Sequence, residues 1–161
     1  MKRILLFCTS ILLLFGCASM RAPIVNQYEP LSNYKYIFIT PTGQQTSSSG
    51  LLTGTQFGVW GGSSTKTVTP ADVISGVLMK QGYIRLPQLD PNLLDETLIV
   101  NFGESGRRNV NLGYSIEVTI QFLSAKTNKV VCVCTAEGQG ETESDDIRKA
   151  IHRALGGLFK K

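Results

Sequence analysis

Ser115-Ile116-Glu117-Val118-Thr119-Ile120-Gln121-Phe122-Leu123 alternates apolar and polar side chains along its whole length. Successive side chains of an extended chain point to opposite faces. Ile116, Val118, Ile120 and Phe122 therefore share one face, and Glu117, Thr119 and Gln121 share the other. That pattern predicts a strand with one side on a core and one side in water, as antiparallel sheets have. Ala125-Lys126-Thr127-Asn128-Lys129 then reads as a turn, and residues 130–136 return as the paired strand.

Other elements fall into place around this hairpin. Residues 97–102 (TLIVNF) form another extended run, bounded by Gly103. Residues 34–40 (YKYIFIT) are rich in β-branched and aromatic side chains and are stopped by Pro41, which makes them the first strand; 83–86 is a short one. Thr69-Pro70-Ala71-Asp72 has a hydroxyl cap, proline at the first helical position and an acid in the first turn. Val73, Ile74, Val77 and Leu78 give that helix an apolar face, and Gly82 ends it. A last helix starts at Ser144-Asp145-Asp146, with Ile147, Ile151, Ala154, Leu155, Leu158 and Phe159 at helical spacing and Lys160-Lys161 at its negative end. The predicted fold is α+β: a mostly antiparallel or mixed sheet of about five strands, with two amphipathic helices on one face.

Residues 42–67 differ in kind, being dominated by Gly, Ser, Thr and Gln, with Leu51, Leu52, Phe57, Val59 and Trp60 embedded. A mobile loop or ragged hairpin is the plain expectation for such an insert. The sharper expectation is a contact loop in which Phe57, Val59 and Trp60 rest on headgroups or a protein partner. Gly50, Gly54, Gly58 and Gly62 recur every fourth position, but the stretch is too short and too polar to cross a bilayer as a helix.

The chain opens with Lys2-Arg3, an apolar run over 4–15, and then Leu14-Phe15-Gly16-Cys17. These twelve residues, all apolar but Thr9 and Ser10, span about 18 Å as a helix, short of the ~30 Å hydrocarbon core, which favours a cleaved signal over a membrane anchor. The motif resembles the lipobox of bacterial lipoproteins. In that family Cys17 takes a thioether-linked diacylglycerol, with palmitate-type chains, and becomes the mature N-terminus. The expected organisation is a signal peptide over 1–16, a lipid-bearing cysteine and tether over 17–30, and one domain over 31–161 carrying the insert. Ala18, in place of an aspartate, resembles lipoproteins sorted to the outer membrane, and no acidic run follows Cys17, so a periplasm-facing domain is expected.

Loss of Lys2 and Arg3 leaves 14 basic and 12 acidic residues, a formal +2 against the +4 of the 161-residue chain. This charge is spread out, and nucleic acid is not an expected partner. Cys132 and Cys134 would lie on one face of a strand, at or beyond disulfide reach, and read as core thiols; with no histidine nearby they make no zinc site. His152 falls beside Arg148, Lys149 and Arg153 on the wet side of its helix. No Ser/His/Asp set, calcium loop or phosphate loop can be assembled, so no catalytic residue, metal or cofactor is expected. Asp145, Asp146, Glu141 and Glu143 read as helix-end acids.

Four further stretches resemble a family of small Gram-negative lipoproteins catalogued as a domain of unknown function. They are Leu31-Ser32-Asn33-Tyr34-Lys35-Tyr36, Lys80-Gln81-Gly82-Tyr83, Pro91-Asn92-Leu93-Leu94 and the hairpin residues 124–132, followed by a closing helix over 147–159. Asn128 stands where that family has glycine, and Cys132 where it has an aromatic residue. The resemblance implies outer-membrane anchoring and a layout distantly similar to the N-terminal domain of TolB-type proteins and to curli-secretion lipoproteins. It brings no activity with it. A non-enzymatic interaction or structural module with an envelope protein partner is thus the first expectation. The second is a small-ligand (glycan or lipid headgroup) binder using the open sheet face, with Tyr34 and Tyr36, together with the insert.

Overall fold

The computed structural model describes residues 20–42, 45–55, 58–110 and 113–160. Its centre is the hairpin expected from the alternating stretch: β7 (Gly113–Ser124) pairs antiparallel with β8 (Val130–Gly138). Ile116, Val118, Ile120 and Phe122 are buried, and Thr119, Gln121 and Leu123 lie on the wetter side. Burying each such apolar side chain stabilises by roughly 1.5–3 kcal/mol. The turn closes through Asn128 in the left-handed conformation (φ 56°), one that asparagine tolerates.

β6 (Thr97–Val110) pairs antiparallel with the other side of β7. The sequence reading bounds this strand at Gly103. Instead Gly103 pairs in register with Thr119, and the chain takes up Ser105 in a bulge between Glu104 and Gly106 and continues to Val110. An extra residue on one strand bends the ladder without ending it.

β2 (Tyr36–Ile39) runs parallel to β6 and to the two-residue β5 (Ile84–Arg85). At the other edge, β1 (Ile24–Gln27) pairs antiparallel with β8. This edge strand falls within 17–30, the stretch read as a tether. Four residues with little burial leave no periodic signal; their backbone ladder holds them. The result is one mixed six-stranded sheet, ordered β1-β8-β7-β6-β2-β5, and both edge strands are short. The α+β class therefore stands, with six strands in place of about five.

α1 (Pro70–Lys80) starts after Thr69 and stops at Gly82, whose φ of 95° excludes most side chains. α2 (Glu143–Leu158) packs on β8, β7 and α1. Ile74 and Leu78 of α1 and Ile147, Ile151, Ala154 and Leu155 of α2 join the strand residues in one core. Its true cap is Thr142, two residues earlier than the Ser144 start expected: the hydroxyl accepts from Asp145 N at 3.3 Å. The insert forms a separate two-stranded hairpin, β3 (Gln45–Thr55) with β4 (Gly58–Val68), whose backbone lies beside α2. No helix among the described residues is long and apolar enough to cross a membrane.

Candidate functional site

Among the described residues, polar groups gather at both ends of the six-stranded sheet. The first lies where β8 ends. Glu137 is 2% exposed, although its neighbours Thr135 and Val133 alternate toward the wetter side. Three chain segments converge on it. Arg108 reaches across from β6 and donates from Nε and Nη2 to its two carboxylate oxygens at 2.9 and 2.7 Å. Arg21 donates its backbone N–H to Oε2 at 3.0 Å. Arg153 of α2 donates to the Glu137 carbonyl and, at 2.7 Å, to the Arg21 carbonyl. The Arg108 hydrogen bonds are the main force holding the Glu137 carboxyl down at about 2, against the burial that would raise it. This clamp ties the N-terminal segment to the sheet immediately before β1.

Beside it, Arg107 pairs with Glu143 at 2.7 Å, holding the β6–β7 ribbon to the first turn of α2. Its guanidinium also lies 5.5 Å from the Tyr114 ring centroid. Asp146 is buried and accepts from the Gly140 N–H. Burial raises its pKa.

The second place is a cleft of about 480 Å³ at the opposite end of the sheet, lined by residues 31–35, 81–83 and Glu96. A 3-10 turn, Leu31–Asn33, leads into Tyr34, and the Lys35 N–H bonds the Glu96 carbonyl at 2.9 Å. Gly82 turns the chain out of α1 so that Tyr83 reaches back, its ring 6.3 Å from Phe159. Burial raises the Tyr34 and Tyr83 phenols above their ordinary value. Tyr34 donates to Glu29 at 3.1 Å, and the Lys35 ammonium lies 5.5 Å from the Tyr36 ring centroid. The residues lining the cleft thus include two tyrosines, the amides Asn33 and Gln81, and the oppositely charged Lys35 and Glu96. Such groups can hold a small polar ligand by hydrogen bonds and ring contact.

Of the residues singled out from sequence, Tyr34 lines this cleft and Tyr36 stands next to it on β2. On the open sheet face a depression of about 310 Å³ lies around Asn101, Thr119 and Gln121, and beside it Thr119 and Thr135 are bonded to each other at 2.8 Å. In the insert, Val59 and Trp60 occupy β4 opposite Gly54 and Thr53. Phe57 lies outside the described residues, as do Leu14, Phe15, Gly16 and Cys17. His152 is exposed, and Cys132 and Cys134 are free and buried. Among the described residues no three His, Cys, Asp or Glu side chains gather as a metal site would require.

Sequence reasoning missed Arg21, Arg108, Glu137 and Tyr83. Glu137 lies between apolar Ala136 and Gly138 at the end of a buried strand, and that position was the available signal.

No protein-family model matches the chain, and no curated protein does. Among solved structures it is similar to a point variant of the PelC dodecamer from Paraburkholderia phytofirmans, at 16% identity and a TM-score of 0.48, covering 84% of this chain and 96% of that one. A second PelC dodecamer structure from the same organism has 14% identity and a TM-score of 0.45, covering 86% and 99%.

Proposed function

We propose that this chain is a lipid-anchored, non-enzymatic envelope protein of the outer membrane, with a periplasm-facing domain that serves as an interaction or structural module. The observation that carries the reading is Leu14-Phe15-Gly16-Cys17 at the end of a charged-then-apolar leader. Acyl chains contribute about 0.8 kcal/mol per buried methylene, so two or more chains hold the protein durably at a bilayer. The folded domain supports a binding role: its thiols are sequestered, and its one histidine is exposed on a helix flank. The small Gram-negative lipoprotein family resembled by residues 31–159 fits the same reading. Replacing Cys17 with alanine is expected to abolish acylation and move the protein out of the outer-membrane fraction. Unchanged fractionation, together with a native mass lacking lipid, would refute the proposal.

The cleft at 31–35 and 81–83 favours a second reading, binding of a glycan or lipid headgroup. The binding surface would then be the sheet end near Tyr34, in place of the flat sheet face and insert. Titration with methyl glycosides and with glycerophosphoethanolamine, followed by amide chemical shifts, tests it. Asn33→Ala and Gln81→Ala should each weaken binding roughly fivefold, the loss of about one hydrogen bond. Shifts that avoid these residues would exclude this reading.

A further inference from the structure

The two ends of the sheet differ in how near they stand to Cys17, and the difference is set by covalent length. Arg21 is fixed to Glu137 by its backbone N–H at 3.0 Å and to Arg153 by its carbonyl at 2.7 Å. Arg21 is four residue steps along the chain from Cys17, and a chain extends at most ~3.6 Å per residue, so the two α-carbons lie within about 14 Å. The headgroup layer on one side of a bilayer takes up about 5–7 Å of that reach. By contrast, Thr97, beside the cleft, is eleven residues of β6 away from Arg108, roughly 35 Å at strand rise.

We infer that the end of the sheet where Arg21, Arg108 and Glu137 meet lies against the phospholipid headgroups, and that the cleft lined by Tyr34 and Tyr83 points away from the bilayer. The inference rests on the lipid-anchor reading above. A second feature of that end agrees with it. Tyr114 is 38% exposed, with the Arg107 guanidinium 5.5 Å from its ring centroid, an amphipathic pairing suited to the headgroup level. Arg107 is also paired with Glu104 and Glu143, and Arg108 with Glu137, so these two guanidiniums are compensated from within the fold. Orientation therefore comes from the short tether and does not require anionic lipid. The far end, with the 125–129 turn and the cleft, is left free for a ligand or protein partner.

The test uses the full acylated protein in vesicles of phosphatidylethanolamine and phosphatidylglycerol. A fluorophore is placed on Asn109→Cys at the near end or on Lys126→Cys at the far end. Both positions are exposed, and the native Cys132 and Cys134 are buried. Quenching by a nitroxide carried on the lipid headgroup is expected to be several-fold stronger at position 109 than at 126. Equal or reversed quenching on protein whose mass shows the acyl chains would overturn the orientation and leave the anchor standing. Absence of the acyl mass would overturn both. If quenching at 109 is relieved by a protein partner while the acyl chains stay inserted, that end is a protein interface and the inference fails.

Discussion

Glu137 is a carboxylate that the fold requires ionised. Its pKa is held at about 2 by Arg108, against an ordinary value of 4.5. A depressed carboxyl stabilises the fold fully above its unfolded pKa and ceases to as pH falls through the folded one. Glu137→Gln keeps the shape and loses the charge. It should lower the melting temperature by roughly 5 °C near neutrality. The gap to the native protein should close as pH falls from 4.5 toward about 2, and a gap of constant size would contradict the assignment. The two thiols have the opposite sign. Burial pushes Cys132 up to about 11 and, with the neighbouring thiol adding to it, Cys134 to about 12, from 9.0. Their contribution is intact below 9.0 and is lost as pH climbs through those values. Folded protein should resist iodoacetamide at mildly alkaline pH and react in denaturant, as mass spectrometry would show; fast modification of the folded protein would mean an open core. The sequence predicts the thiols correctly because burial follows from period-two alternation. It misses Glu137 because the partners that bury it come from distant segments.

Element boundaries show which local signals suffice. Pro70 and Gly82 bracket α1 as expected, since a fixed φ and a positive φ act within one turn. The start of α2 moves back to Thr142, where the hydroxyl and the Asp145 N–H find each other. Thr142→Ala should cost about 1 kcal/mol in urea unfolding, the usual value of a cap. A neutral result would place the cap elsewhere. The seam between α2 and β8 is closer than a side chain allows: a Cβ on Gly138 would collide with the Asp146 carbonyl and the Ala150 backbone. Gly138→Ala should destabilise by about 3 kcal/mol, through overpacking against backbone that cannot give way. Native-like stability would show that α2 shifts freely on the sheet. Gly103 shows the converse. Read along the chain, it looks like a strand end; paired with Thr119 of β7 it continues the ladder, and the bulge falls beyond it, at Ser105.

At the scale of the molecule, the six-stranded sheet and the β3–β4 hairpin share no ladder. Two strands alone are marginal in water, whereas β6, β7 and β8 each have a neighbour on both sides. Amide hydrogen exchange should therefore be orders of magnitude slower in the middle of β7 than in β3 and β4. Comparable protection in both would mean that the hairpin is part of the main cooperative unit. The fold also separates the molecule's two polar sites by the length of the sheet. With Arg21 clamped at one end and the cleft at the other, the cleft stands a sheet's length away from the point where the N-terminal segment joins the domain.

The sequence by itself determined the class of the fold, both helices, the β7–β8 hairpin and the buried thiols, because side-chain periodicity and turn chemistry act within a few neighbouring residues. Only the tertiary structure decided that β2 lies parallel between β6 and β5, and that Ile24–Gln27 is an edge strand of the sheet. Only it brought Arg21, Arg108, Arg153 and Glu137 together, and set residues 31–35 beside 81–83. Those outcomes depend on strand register and on groups up to 132 positions apart, whose proximity no local pattern encodes.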